Sequence, residues 1–136
     1  MEFALVCSGT RGDCEPSVAV GRELQRRGHD VRIAIPPNLV EFAQSVGLDA
    51  VAYGPNAEDL WTADFFRNFS KNFLRKFWTI REPIKIIQEL WDPVLRYWAD
   101  MGATLTPMAR GADLLCAGLF FQGVAANVAE HYDMPF

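Results

Sequence analysis

Five apolar residues in a row, Phe3-Ala4-Leu5-Val6-Cys7, run directly into the small polar stretch Ser8-Gly9-Thr10-Arg11-Gly12-Asp13. An unbroken apolar run of this length predicts a strand buried on both faces, as in a parallel sheet. Pro16 suits a first helical position, where a missing N–H goes unused. The pattern then predicts a helix from Pro16 to Arg27, with Val20 and Leu24 facing inward and Gly28 just past its end. Val31 to Ile35 is a second strand. Pro36-Pro37-Asn38 makes the turn, and Asn38 is placed to cap a helix from Leu39 to Val46. Either Val40, Ala43 and Val46 or Phe42 and Val46 face inward there, and Gly47 closes the helix. Asp49 to Tyr53 is a third strand, ended by Gly54-Pro55. Alternation of this βαβαβ kind predicts an α/β fold, a Rossmann-like parallel sheet with helices on both faces and right-handed crossovers. It places Ser8 to Asp13 at the carboxyl edge of the sheet, where open α/β folds bind ligands.

The rhythm then breaks. The next strand-like run, Asp113 to Ala117, arrives only after a long interval, whereas a crossover needs about a dozen residues plus short loops. Surplus chain at the ligand edge of a sheet commonly shapes a binding site. Within it Phe65, Phe69, Phe73, Phe77, Ile80, Ile84 and Ile87 recur at helical spacing, with Arg67, Lys71 and Arg75 roughly opposite. Pro83 is expected to end or kink this helix. A second helix is expected from Asp92-Pro93, with Val94, Trp98, Met101, Leu105 and Met108 on one stripe and Pro107 marking an end or kink. Gly111 precedes the fourth strand. A helix from Gln122 to Tyr132 then offers Gly123, Ala125, Ala126 and Ala129 for close packing on the sheet. Asp133-Met134-Pro135-Phe136 reads as the lead-in to a fifth strand, so these 136 residues are expected to be part of a larger protein.

Bulk properties narrow the class. The formal net charge of −4 argues against nucleic acid as a partner. Three cysteines, Cys7, Cys14 and Cys116, form no C-x-x-C pair and suit a reducing compartment. No basic leader precedes the first strand and no apolar run reaches the roughly 18 residues of a membrane span, so a cytoplasmic protein is expected. His29, His131 and the scattered cysteines lack metal-ligand spacing, and no bound metal is expected. Cys7 reads as core; Cys14 adjoins the loop, with nothing nearby to act as its base.

The loop itself can hold an anionic or polar group on its backbone N–H groups and on the helix N-terminus behind it. It is neither a dinucleotide fingerprint, because G-x-x-G replaces G-x-G-x-x-G, nor a P-loop, because no Gly-Lys-Ser/Thr follows. Asp13 is its one carboxylate. It has two readings, a cap on the helix or a general base.

The strings Gly9-Thr10-Arg11-Gly12-Asp13-Cys14-Glu15-Pro16, Gly21 to Val31 and Ala34-Ile35-Pro36-Pro37 resemble the opening of GT-B nucleotide-sugar glycosyltransferases. Within these, the nearest kind glycosylates sterols, glycopeptide antibiotics and mycobacterial glycolipids. Gly47-Leu48, Tyr53-Gly54-Pro55 and Gly111 to Leu115 continue the resemblance, which lapses over about residues 56–92. It implies a two-domain inverting enzyme working in the cleft between two Rossmann-like halves, with no cofactor beyond the nucleotide-sugar co-substrate and no bound metal. Residues 1–136 would be the N-terminal acceptor-binding domain, with a variable helical acceptor-site insertion over about 56–110. The donor-binding signature of the family, a His-Gly-Gly segment of the C-terminal domain, is not among these residues, so the domain alone is expected to be inactive. The resemblance makes Asp13 the general base on the acceptor hydroxyl. It places Gly9, Thr10, Arg11 and Gly12 near the donor sugar and phosphates. The expected reaction moves a hexose from a UDP- or dTDP-sugar to a hydroxyl of a glycolipid, sterol or natural product.

The aromatic-basic stretch has a plain reading as core with a solvated basic face. Its functional reading is an apolar acceptor pocket built from Trp61, Phe65, Phe69, Phe73, Phe77 and Trp78. From Phe65 to Lys85 there are six basic residues and one acidic, a composition that also favours peripheral contact with an anionic membrane. The rival functions are a non-catalytic α/β module binding a small molecule or lipid, and a different Rossmann-like enzyme such as a reductase.

Overall fold

The apolar run at the start of the chain forms the strand on which the sheet is built. β1 (Glu2–Val6) pairs on one side with β2 (Asp30–Ile35) and on the other with β4 (Leu114–Ala117), and β2 pairs outward with β3 (Asp49–Ala52). Every pairing is parallel and the order is β3-β2-β1-β4. This is a computed structural model, and it describes residues 1–56, 83–119 and 121–136. Trp61, Phe65, Phe69, Phe73, Phe77, Trp78 and the basic row at Arg67, Lys71 and Arg75 lie outside the described residues.

Successive side chains of a strand point to opposite faces, which splits the core in two. Phe3, Leu5, Cys7, Ile33 and Ile35 pack under α1 (Arg11–Arg26) and α2 (Val40–Ser45), against Cys14, Val18, Leu39 and Ala43. Ala4, Val6, Ala34 and Leu115 pack on the opposite face under α3 (Pro83–Ala109) and α4 (Gln122–His131). There they meet Met101, Leu105, Met108, Val124 and Val128. The expected helices on both faces are present.

Several local expectations give way. α1 begins at Arg11, not Pro16, so Pro16 lies inside the helix. The start is set upstream by Thr10 and Asp13, and the carbonyl of Gly12 is the group that loses a helical N–H donor to Pro16. The buried stripe of α1 is Cys14, Val18 and Gly21, whereas Val20 is 53% exposed. Packing of Cys14 and Val18 against the sheet sets the inward face, and Gly21 brings helix and sheet close: a Cβ there would lie 3.1 Å from both Leu48 and Leu5. Asn38 does not cap α2. A 3-10 turn, Pro37–Leu39, leads into the helix, and the backbone N–H of Asn38 donates instead to Asn56 Oδ1 at 3.1 Å. Gly28 and Gly47 do end α1 and α2, each in a Schellman motif: His29 N–H reaches Leu24 O, and Leu48 N–H reaches Ala43 O.

α3, described over the 27 residues Pro83–Ala109, runs unbroken through Asp92-Pro93, where a new helix was expected to start; the helix expected before Pro83 lies outside the described residues. A proline penalises one turn, while the helix is held by the face it buries. Met101, Leu105 and Met108 supply that face, as their spacing predicts. Pro107 comes just before the end at Ala109. α4 seats its small residues on two neighbours. Ala125 and Ala129 are buried toward the sheet, and a Cβ on Gly123 would lie 2.7 Å from the Trp98 ring of α3. Beyond α4, Leu115 N–H donates to Pro135 O at 3.0 Å, so the chain at its end lies alongside β4. Among the described residues, no helix is long and apolar enough to cross a membrane.

Candidate functional site

From β1 the chain steps outward to β2 and β3, then returns to β4 on the other side of β1. The direction of winding therefore reverses between the carboxyl ends of β1 and β4, the position at which open α/β sheets bind ligands. The two loops meet there: Gly118 N–H donates to Val6 O at 2.8 Å, and a Cβ on Gly118 would lie 3.7 Å from Cys7. Leu119 stands 79% exposed at this edge.

Asp13 sits in the first turn of α1, and its side chain folds back over the loop. Its Oδ2 accepts from the backbone N–H of Thr10 at 2.8 Å and from the Thr10 hydroxyl at 2.8 Å. Thr10 is the N-cap and Asp13 is at N3, so the pair forms a capping box. The carboxylate is thus clamped by one oxygen, while Oδ1 has no partner among the described residues and the residue is exposed. Gly9 makes room for it. Its φ of +115° disfavours other residues, and a Cβ there would lie 2.6 Å from Asp13 Oδ2. The cap reading of Asp13 is therefore what the geometry shows, and the arrangement leaves the second oxygen available for chemistry.

Of the predicted loop residues, the structure brings Gly9, Thr10 and Asp13 together. Arg11 and Gly12 belong to the first helical turn and are exposed. The Arg11 guanidinium lies 4.5 Å from the Phe42 ring centre and 3.8 Å from Glu15, so it leans on α2 and on its own helix. Cys14 is fully buried, which removes it as a reactive surface thiol. The neighbouring Cys14 thiol, together with burial, pushes Cys7 far above its ordinary value, while Cys7 in turn lowers Cys14.

Two residues at this edge show a feature that the sequence did not reveal. Ser8 is 5% exposed and Tyr53 is 1% exposed, and neither hydroxyl has a hydrogen-bond partner among the described residues. Burial also raises the Tyr53 phenol above its ordinary value. A buried hydroxyl without a partner costs about 1–3 kcal/mol, and such groups are few in folded proteins. No residue-type pattern marks them; only burial does.

Fold and edge together define a Rossmann-like α/β domain with its ligand edge at the β1–β4 reversal. Residues 3–99 match the glycosyltransferase family 28 N-terminal domain, and the chain belongs to that family. An uncharacterised glycosyltransferase of Mycobacterium tuberculosis is 49% identical over 135 residues, 99% of this chain but 31% of the relative. The chain therefore spans less than a third of the length of that relative. The crystal structure of CalG4, the calicheamicin glycosyltransferase, superposes with a TM-score of 0.68 at 17% identity, over 98% of this chain and 30% of that one. The glycosyltransferase VinC, solved in complex with dTDP, superposes at 0.57 and 21% identity, over 99% of this chain and 33% of that one. At these identities the two structures share the fold, that of GT-B glycosyltransferase N-terminal domains.

Proposed function

We propose that this domain is the acceptor-binding half of an inverting glycosyltransferase. The reaction moves a hexose from a UDP- or dTDP-sugar to a hydroxyl of an apolar acceptor such as a glycolipid, sterol or natural product. The observation that carries this reading is the clamped Asp13 of a family 28 domain, held by Oδ2 at the winding reversal, with Oδ1 unengaged among the described residues. In the proposed step the acceptor O–H gives its proton to Asp13 Oδ1 as its oxygen attacks the anomeric carbon. The bond from that carbon to the diphosphate breaks, and the nucleoside diphosphate departs with the electron pair. A general base must lie within about 2.6–3.2 Å of the proton's oxygen. A carboxylate fixed by two hydrogen bonds to Thr10 is oriented before substrate arrives, and it needs no side-chain search during the reaction. Gly9, with no side chain, gives the Asp13 carboxylate its seat over the loop, and on this reading the first turn of α1 supplies partial positive charge toward the donor's phosphates.

The bound nucleotide in the VinC structure is consistent with a nucleotide-linked donor. The donor site itself belongs, on this reading, to a second domain. The apolar acceptor rests on the aromatic residues Trp61 to Trp78 and on the exposed Leu119 at the same edge. A cytoplasmic protein that touches an anionic membrane through residues 65–85 is the setting this reading gives the acceptor.

Asp13→Asn in the complete protein separates base from cap. The amide oxygen can still accept from Thr10, so stability falls by no more than about 1 kcal/mol, the worth of a negative charge at a helix N-terminus, whereas turnover falls by about 10²–10⁴-fold. Denaturant melts and steady-state transfer assays measure the two effects. Turnover near that of the unmodified enzyme would remove Asp13 from the chemistry.

A further inference from the structure

Ser8 and Tyr53 lie just past the ends of β1 and β3, and the register carries them into one row. Val6 pairs with Ala34 and with Ala117, and Ala34 pairs with Val51. Carried two residues further, the register sets Ser8, Pro36, Tyr53 and Leu119 across the carboxyl edge. The ladder continues toward this row, since Cys7 N–H donates to Ala34 O at 2.9 Å and Tyr53 N–H to Ile35 O at 2.8 Å. Ala4 and Val6 face α3 and α4, and strand alternation puts Ser8 on that same face. Tyr53 packs in that core beside Met101. One edge row of one face therefore holds two buried hydroxyls without partners among the described residues, Ser8 directly before the glycine over which Asp13 folds and Tyr53 two strands along the row. Pro36, between them, brings no N–H to satisfy either.

We infer that Ser8 and Tyr53 are specificity-determining residues for the acceptor, their hydroxyls receiving an acceptor oxygen other than the one that reacts at Asp13. The inference rests on the acceptor-binding reading above and narrows it. The acceptor is an amphiphile that presents at least two oxygens close together, one to be glycosylated and one to be recognised. An apolar molecule with a single hydroxyl satisfies Asp13 but leaves the row unpaired, and a buried polar site discriminates strongly against a ligand that lacks its matching group. The cost is carried by the free protein as lost stability, the exchange of stability for function common at binding sites.

The test uses the complete protein and its Ser8→Ala and Tyr53→Phe variants, with 1,2-octanediol and 1-octanol as probes and no sugar donor present. Calorimetric titration reads binding, and thermal melts without probe read stability. The expected result is that the protein prefers the diol, and that each variant loses about tenfold in diol affinity, the worth of one hydrogen bond of about 1.4 kcal/mol. Octanol affinity stays unchanged, and each variant melts at a higher temperature than the parent, because an unpaired buried group has gone. A lower melting temperature in either variant would show that the hydroxyls are internally satisfied and overturn the inference. Equal binding of diol and octanol by the parent, or a diol preference that survives both substitutions, overturns it as well. Because no donor is present, these outcomes are independent of whether Asp13→Asn abolishes transfer.

Discussion

Gly9 and Asp13 are legible in the sequence as members of a polar loop, but their dependence on each other is not. The carboxylate occupies the place a Gly9 Cβ would take, 2.6 Å from Oδ2, on a backbone with φ +115°. Gly9→Ala is therefore expected to cost about 1–2 kcal/mol of stability from the backbone alone and to push Asp13 off its clamp. Transfer should fall by a further factor beyond the stability loss, read as a drop in kcat at a temperature where the variant is fully folded. An unchanged kcat would mean that the carboxylate position is not critical. The Thr10-x-x-Asp13 spacing is itself a capping-box signature. Pro16 carried more weight in the sequence reading because proline is a strong local marker, and it drew the expected helix start several residues too late. Thr10 and Asp13 override it by satisfying N–H groups at the true start.

At the scale of elements, α3 shows how packing overrides local punctuation. Asp92-Pro93 reads as a boundary, yet a single helix, described from Pro83 to Ala109, passes through it. Proline tolerates the first turn of a helix, where no N–H is required, and costs one hydrogen bond further in. The buried stripe on α3, by contrast, ties it to the sheet. Leu105 is fully buried there, and Leu105→Ala is expected to destabilise the protein by about 2–5 kcal/mol, measured by chemical denaturation. A loss well under 1 kcal/mol would mean that α3 does not anchor this face. The spacing of Met101, Leu105 and Met108 showed the stripe in advance. The seat of Trp98 on Gly123 did not show, since it joins two helices distant in sequence.

At the scale of the whole molecule, charge is unevenly placed along the chain. The net charge is −4, while Phe65 to Lys85 carries six basic residues against one acidic. If that stretch meets an anionic surface, vesicles of phosphatidylcholine with phosphatidylserine should bind the protein at low salt. Binding should weaken on going to about 0.5 M salt, where screening reaches only a few ångströms, and on replacing Arg67, Lys71 and Arg75 by Gln. Co-sedimentation measures this, and absence of binding at low salt would discard membrane contact. The ends of the described chain fit the same large-scale view. Pro135 lies beside β4, and the domain spans 31% of the mycobacterial relative.

The sequence by itself determined the parallel α/β class, the strands, the glycines that end α1 and α2, and the loop that bears Asp13. These depend on local periodicity and on single residues with restricted or unusual backbone preferences, information held within a few neighbouring positions. Tertiary structure alone decided which face of α1 turns inward and that one helix runs on through Asp92-Pro93. It also set Ser8 and Tyr53 in one buried row. Those features depend on the register between strands and on the depth at which each side chain is buried, and both arise only when segments far apart in the chain pack together.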